Sequence, residues 1–344
     1  MQSLRLLLVL ASLLIALLAG PVTARADDVE DFYRDKMVSL YVGYPPGGGY
    51  DVYARLLAKY MPKHLAGHPS FLVRNRPGAA SLTLVNDLYN VLPRDGTVFG
   101  MFARSIAMDK LLGRQGAQYD PVRLNWIGSA NNEVSICAVW HGLGVKSLAD
   151  FMQRPIVFGA NAPGSESDIY PTILNNLLGA HFKIVTGYPG VNDLLLAMER
   201  GETQGRCGWT WSAAKATKAD WLREKKIDIV LQFAIAKHPE LPNVPLVTEL
   251  ARNDKERQAL DLILTMQAMG RPFAAPHDVP ADRVAALRAA FSATLRDPDF
   301  TAEANAKKLE IELVEGAALQ DMVVHMFQAP KDVVEAARTA IGHH

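Results

Sequence analysis

The sequence predicts an α/β chain folded as two lobes, each a mainly parallel sheet flanked by helices, with a ligand cleft between them. Three observations carry that prediction. Short apolar segments alternate with amphipathic ones, first over 37–102 and again over 155–234, the pattern of strands covered by crossover helices. The chain of 344 residues is longer than one hydrophobic core usually fills. A strand running into a glycine-containing loop and then a helix occurs twice, at 44–51 and 158–168, so two such corners can face each other and grip one small molecule.

At the start, Arg5 precedes an apolar run over 6–18, and Ala24-Arg25-Ala26 stands ahead of two aspartates. This is the layout of a secretory signal peptide over 1–26, with a run too short for a stop-transfer helix. The expected lobes are then 27–140 joined with 236–344, and 141–235. Removing 1–26 takes away two arginines and no acid, which leaves 34 basic against 36 acidic side chains. That balance offers no basic field, and no nucleic-acid partner is expected. Cys137 and Cys207 are bound for an oxidising compartment, and both a disulfide and two separate buried thiols are open at this level. The histidines show no ligand spacing beyond His64 and His68, so neither a metal nor a cofactor is expected.

In chain order, the first lobe should hold strands at 38–44, 71–75 and 98–102, with a helix to about 64 and another at 79–90. Val52, Leu56, Leu57 and Tyr60 fall on one side of the first helix, while Arg55 and Lys59 fall on the other. Strands at 126–130 and 136–140 follow, and Ser147 is the predicted cap of the next helix. The alternation restarts with strands at 155–160, 183–186, 205–209 and 227–234, and helices at 169–178 and 191–199. The proline-dense run 237–245 reads as a connection between lobes. Helices at 281–295, 302–308 and 317–341, the last broken at Pro330, should pack back on the first lobe.

The first corner has the chemistry of an anion seat. Pro45 and Pro46 end the strand, and Gly47, Gly48 and Gly49 let the backbone turn without side chains in the way. The first-turn amides of the next helix lack intrahelical partners, and the helix dipole puts partial positive charge at the same place. Asp51 reads more readily as an acid stabilising its own helix start than as a ligand contact. Arg104 and Ser105 follow the strand at 98–102, at the carboxyl edge where open sheets bind ligands, and Arg104 has the fork for clamping a carboxylate or for pairing with a nearby acid. Trp209 and Trp211 should point to opposite faces, and Trp209 is the one expected to line the cleft as an apolar wall suited to an aromatic acid. A hydrolase would need a nucleophile with a base in reach. Neither G-x-S-x-G nor H-E-x-x-H occurs, and Ser165 opens a helix, where a hydroxyl usually caps amides.

The run Tyr44-Pro45-Pro46-Gly47-Gly48-Gly49-Tyr50-Asp51, then Arg74-Asn75-Arg76-Pro77-Gly78-Ala79 and Pro93-Arg94-Asp95-Gly96-Thr97, resembles the Bug family, the substrate-binding proteins of tripartite tricarboxylate transporters. Gly164-Ser165, Tyr188-Pro189-Gly190, Gly201-Glu202, Leu241-Pro242-Asn243-Val244-Pro245 and Asp297-Pro298-Asp299-Phe300 extend the likeness along the mature chain. The resemblance implies a type II-like, two-lobed periplasmic binding protein, a monomer that closes on a small organic carboxylate and delivers it to integral membrane transporter subunits. A sensor that presents its closed form to a membrane signalling partner differs only in that partner. Carried over residue by residue, the resemblance points to Tyr44, Pro46, Gly47, Gly48, Gly49 and Asp51 in lobe one, and to Gly164, Ser165 and Ser167 in lobe two, with Tyr188 completing the wall. The chain departs from the family in three places. Asp168 stands where a histidine is common, Ala80 and Ser81 replace a glycine-rich stretch, and Trp209 and Trp211 replace smaller or acidic residues.

Overall fold

The computed structural model describes residues 24–342. The expected signal segment lies outside the described residues except for its last three, which open helix α1 (Ala24–Tyr33). The next elements are β1 (Met37–Val42), α2 (Gly49–Tyr60), β2 (Ser70–Asn75), α3 (Leu82–Asn90), β3 (Val98–Met101), α4 (Ile106–Asp109) and β4 (Asn125–Ser129). Val38, Leu40 and Val42 alternate into a fully buried face of β1. Helix α2 buries Leu56 and Leu57 as its apolar spacing requires, together with Tyr53 and Ala54, while Val52 and Tyr60 of the expected face are only half-buried.

The chain then crosses to a second sheet of β5 (Ser135–Trp140), β6 (Val157–Gly159), β7 (Lys183–Val185), β8 (Gly205–Thr210) and β9 (Ile227–Phe233). Among these strands run α5 (Leu148–Gln153), α6 (Glu166–Asn176), α7 (Val191–Glu199), α8 (Trp211–Thr217) and α9 (Ala219–Arg223). Ser147 caps α5 by accepting from the Asp150 amide at 3.1 Å. After α10 (Asp254–Leu264), the chain returns to the first sheet with β10 (Pro272–Ala275), α11 (Ala281–Leu295), α12 (Pro298–Ala306), β11 (Val314–Glu315), α13 (Gly316–Met326) and α14 (Lys331–Ala340).

The first sheet has the order β11-β4-β10-β3-β1-β2 and the second β7-β6-β8-β5-β9. Apart from β11, the two follow one plan. Three parallel strands (β2-β1-β3 and β7-β6-β8) are followed by one antiparallel strand, β10 or β5, and then by a strand that runs with the first three. Each sheet is therefore mixed, because the strand that enters a lobe from the other one runs against its neighbours.

Three expectations need correction. The boundary expected after residue 140 falls before β5, because Ser135–Trp140 hydrogen-bonds to β8 and β9 of the second sheet. The C-terminal helices do not all return to lobe one: α13 packs on β4, whereas α14 packs on α10 and on α6 of lobe two, burying Val333, Ala337 and Ala340. The helix expected over 79–90 begins only at Leu82. Ala79, Ala80 and Ser81 have φ of 45°, 50° and 72°, left-handed values that L side chains resist. The Ser81 hydroxyl holds this turn, donating to Gly43 O at 3.1 Å and accepting from the Ala103 amide at 3.0 Å.

Cys137 and Cys207 form a disulfide that joins β5 to β8. Beside it Gly208 takes φ of 65°, and a Cβ there would lie 2.6 Å from the Ser167 amide nitrogen. Only glycine lets β8 approach the first turn of α6 so closely.

Candidate functional site: a cleft between two wired corners

In lobe one, Pro45 and Pro46 lead from β1 into Gly47, whose φ of 84° starts the turn. The Gly47 amide donates to Asp51 Oδ2 at 2.9 Å, Asn75 Nδ2 donates to Asp51 Oδ1 at 2.8 Å, and Arg55 Nε donates to Oδ2 at 2.8 Å. Burial opposes the charge on Asp51, but the hydrogen bonds from Arg55, Gly47 and Asn75 outweigh it and lower its pKa. Asp51 thus fixes the loop, as its place in the first helical turn suggests. Gly48 is the N-cap of α2 without a side-chain cap, and a Cβ on it would meet no atom within 4 Å.

The corner of lobe two is wired in the same way. Gly164 has φ of 79°, and its amide donates to Asp168 Oδ2 at 2.8 Å. Ser165, the N-cap of α6, makes no side-chain cap; its hydroxyl instead meets the Ser167 hydroxyl at 3.0 Å, and Ser167 Oγ accepts from the Asn161 amide at 3.0 Å. A third helix, α7, starts at Gly190, which has no side chain to cap it.

These three helix starts open on one cavity of about 540 Å³ between the lobes, a size ordinary for small-molecule sites. Of the residues expected in the site, Tyr44, Pro46, Gly48, Gly49 and Arg104 line it from lobe one, and Ser165, Ser167, Tyr188 and Trp209 from lobe two. Gly47, Asp51, Gly164 and Asp168 sit behind these walls and hold the turns, and buried Ser105 is away from the wall. Tyr44 stacks on Tyr50 with ring centroids 4.5 Å apart, and burial raises the pKa of both phenols. Trp209 lines the cavity, whereas the Trp211 indole turns to Glu240, donating at 2.6 Å.

Arg104 does not serve as an open carboxylate fork. Fully buried, it pairs through Nε and Nη2 with both carboxylate oxygens of Glu166, donates to Gln267 Oε1 at 2.6 Å and to Ser135 Oγ at 3.0 Å. Burial opposes its charge, and Glu166 outweighs burial to raise the pKa well above the ordinary value. The pair spans the cleft, since Arg104 follows β3 and Glu166 opens α6. Lys215 on α8 makes a second bridge between lobes, to Glu310 at 2.5 Å, while also holding Glu240 at 2.7 Å.

Two further arginines on the cavity wall were missed from the sequence. Arg271 donates to Thr210 Oγ1 at 3.2 Å, lies 3.4 Å from Glu133 Oε2, and sits over the Tyr50 ring at 4.8 Å. Arg206 lies in β8 with 1 % of its surface exposed. An arginine inside an otherwise apolar strand was the available signal, because such a charge is rarely buried without a task.

No family profile matches the chain. A UPF0065 protein from the TAR-I ttuE-ttuC' intergenic region of Agrobacterium vitis is 25% identical over 289 residues, which span 82% of this chain and 78% of the relative. The periplasmic binding protein BugD superposes with a TM-score of 0.70 at 18% identity, covering 90% of this chain and 98% of its own. Rpa4515 of R. palustris, solved with adipate, gives a TM-score of 0.68 at 20% identity over 88% of this chain and 97% of its own. In fold the chain is similar to BugD and to Rpa4515 over nearly its whole described length.

Proposed function

We propose that this protein is an extracytoplasmic receptor that binds a small organic carboxylate in the cleft and delivers it to the membrane subunits of a tripartite tricarboxylate-type transporter. The observation that carries the reading is the convergence of α2, α6 and α7, from both lobes, on one cavity with none of their first turns capped by a side chain. Uncapped helix starts are anion sites, and two lobes that share one anion close around it. The likeness to Rpa4515, solved with adipate, supports the same class of ligand. The predicted signal segment supports a periplasmic location.

Closure would rotate the lobes about the crossings at 130–134, 234–271 and 327–330, with Arg104–Glu166 and Lys215–Glu310 joining them in the closed form. A serine hydrolase is not supported by the geometry. The hydroxyl of Ser165 meets another serine, not a general base. A thermal-shift screen of mono- and dicarboxylates tests the receptor reading: a ligand at about 100 times its Kd adds about 2.7 kcal/mol of stability. Uniform absence of a shift across the panel would overturn it.

A further inference from the structure

The charges around the cavity do not balance. Arg104 is matched by Glu166, and Arg271 faces Glu133 at 3.4 Å, with only its Nε left without an acceptor among the described residues. Asp193, on the first turn of α7, is exposed at the rim, where solvent screens it. Arg206 remains. Among the described residues no group accepts from its Nε or Nη1, and Nη2 makes a single long bond to Gly208 O at 3.4 Å. Its guanidinium lies 5.4 Å from the centre of the Trp209 ring, and the Trp209 indole N–H is likewise buried without an acceptor. The approach of Gly208 to Glu166 and Ser167 puts this end of β8 against the uncapped first turn of α6. Burial pulls the pKa of Arg206 down to about 10, which leaves it charged at neutral pH.

A buried guanidinium with unmet donors is costly unless an anion meets it. Resting on the receptor reading, we propose that Arg206, backed by the α6 helix start and by Trp209 Nε1, is the charge-selecting residue of the cavity, and that the ligand is a monocarboxylate with an apolar or aromatic body. One uncompensated positive charge calls for one negative charge. The rest of the ligand meets the rings of Tyr44 and Trp209 and the rings of Pro46 and Pro163, while the amides of the Gly48 corner donate to the same carboxylate from the other lobe. A second carboxylate would enter a desolvated space whose other lining arginines, Arg104 and Arg271, already face Glu166 and Glu133.

The test is calorimetric titration of the full mature chain with benzoate and hexanoate, with adipate and malate, and with benzamide as the uncharged counterpart. The expected result is that a monocarboxylate binds at least about tenfold more tightly than either dicarboxylate, and that benzamide does not bind. Arg206→Met should weaken the monocarboxylate by about thirtyfold or more, and Arg206→Lys should restore part of the loss. The same Arg206→Met protein should melt no lower than the parent without ligand, since it removes a buried unpaired charge. That behaviour separates lost recognition from lost folding. Tighter binding of adipate or malate, or full affinity in Arg206→Met, would overturn this inference and leave the receptor reading standing. Failure of every carboxylate to bind the parent protein would overturn both.

Discussion

The corners of the two lobes share their wiring and differ in their charge. In each, a glycine with positive φ donates its amide to an aspartate four residues on, Gly47 to Asp51 and Gly164 to Asp168, and the next helix starts without a side-chain cap. Around the lobe-one cap stand Gly48, Gly49 and Pro46, and the charge placed against them, that of Arg271 beside Gly49, faces Glu133. At the lobe-two corner Glu166 occupies the first helical position, Arg104 reaches across to it, and Arg206 lies beneath. One geometry therefore serves two purposes: the neutral corner supplies amides and open space, and the charged corner supplies closure and selection.

The most disruptive way to break this contrast is Glu166→Gln. It leaves Arg104 buried without its counter-charge, which should cost about 3–5 kcal/mol in denaturant unfolding. If the interior charge decides selectivity, the surviving folded protein should also shift its preference toward dicarboxylates, read by titration with adipate. A next test concerns the shared aspartate staple. Asp51→Ala removes acceptors from Gly47, Asn75 and Arg55 and should cost about 1–3 kcal/mol. Because the pKa of Asp51 is lowered on folding, the unfolded chain binds more protons below the ordinary carboxylate value near 4. Its contribution is complete above that pH and is lost as the pH falls through the lowered folded value. An acid titration of stability should therefore flatten in Asp51→Ala relative to the parent.

Gly48→Val probes the neutral corner alone. The backbone there has φ of −83° and ψ of 170°, values open to valine, and the side chain would project into free space. The melting temperature should hardly move, while ligand affinity falls by about tenfold, or 1.4 kcal/mol; unchanged affinity would remove this corner from the binding site. The smallest effect is expected at the turn that supports it. Ala80→Gly relieves a left-handed alanine at φ 50° and should raise stability by up to about 1 kcal/mol, measured in the same unfolding assay.

Much of the architecture was legible before any coordinates. The helix boundary at Ala281–Leu295 and the breaks around Pro330 follow from local spacing and from proline, both of which act within a few residues. The glycine corners were legible for the same reason, since positive φ and missing side chains are local demands. The function of Asp168 was not. Its anionic side chain looked like a departure from an expected donor, yet it accepts the Gly164 amide as Asp51 accepts that of Gly47. The departure at Ala80 and Ser81 reads differently again, as strain held by a serine hydroxyl between Gly43 and Ala103.

By itself, then, the sequence determined the alternation of strands and helices, the two turning points and the chemistry of their free amides, because each depends on residues close together in the chain. The tertiary structure alone decided which sheet β5 joins, that Arg104 faces Glu166 across 62 positions, and that Arg206 is the guanidinium with no acceptor for its Nε and Nη1 among the described residues. Electrostatic partners are chosen by proximity and by exclusion from water, and neither quantity exists until distant segments have been packed together.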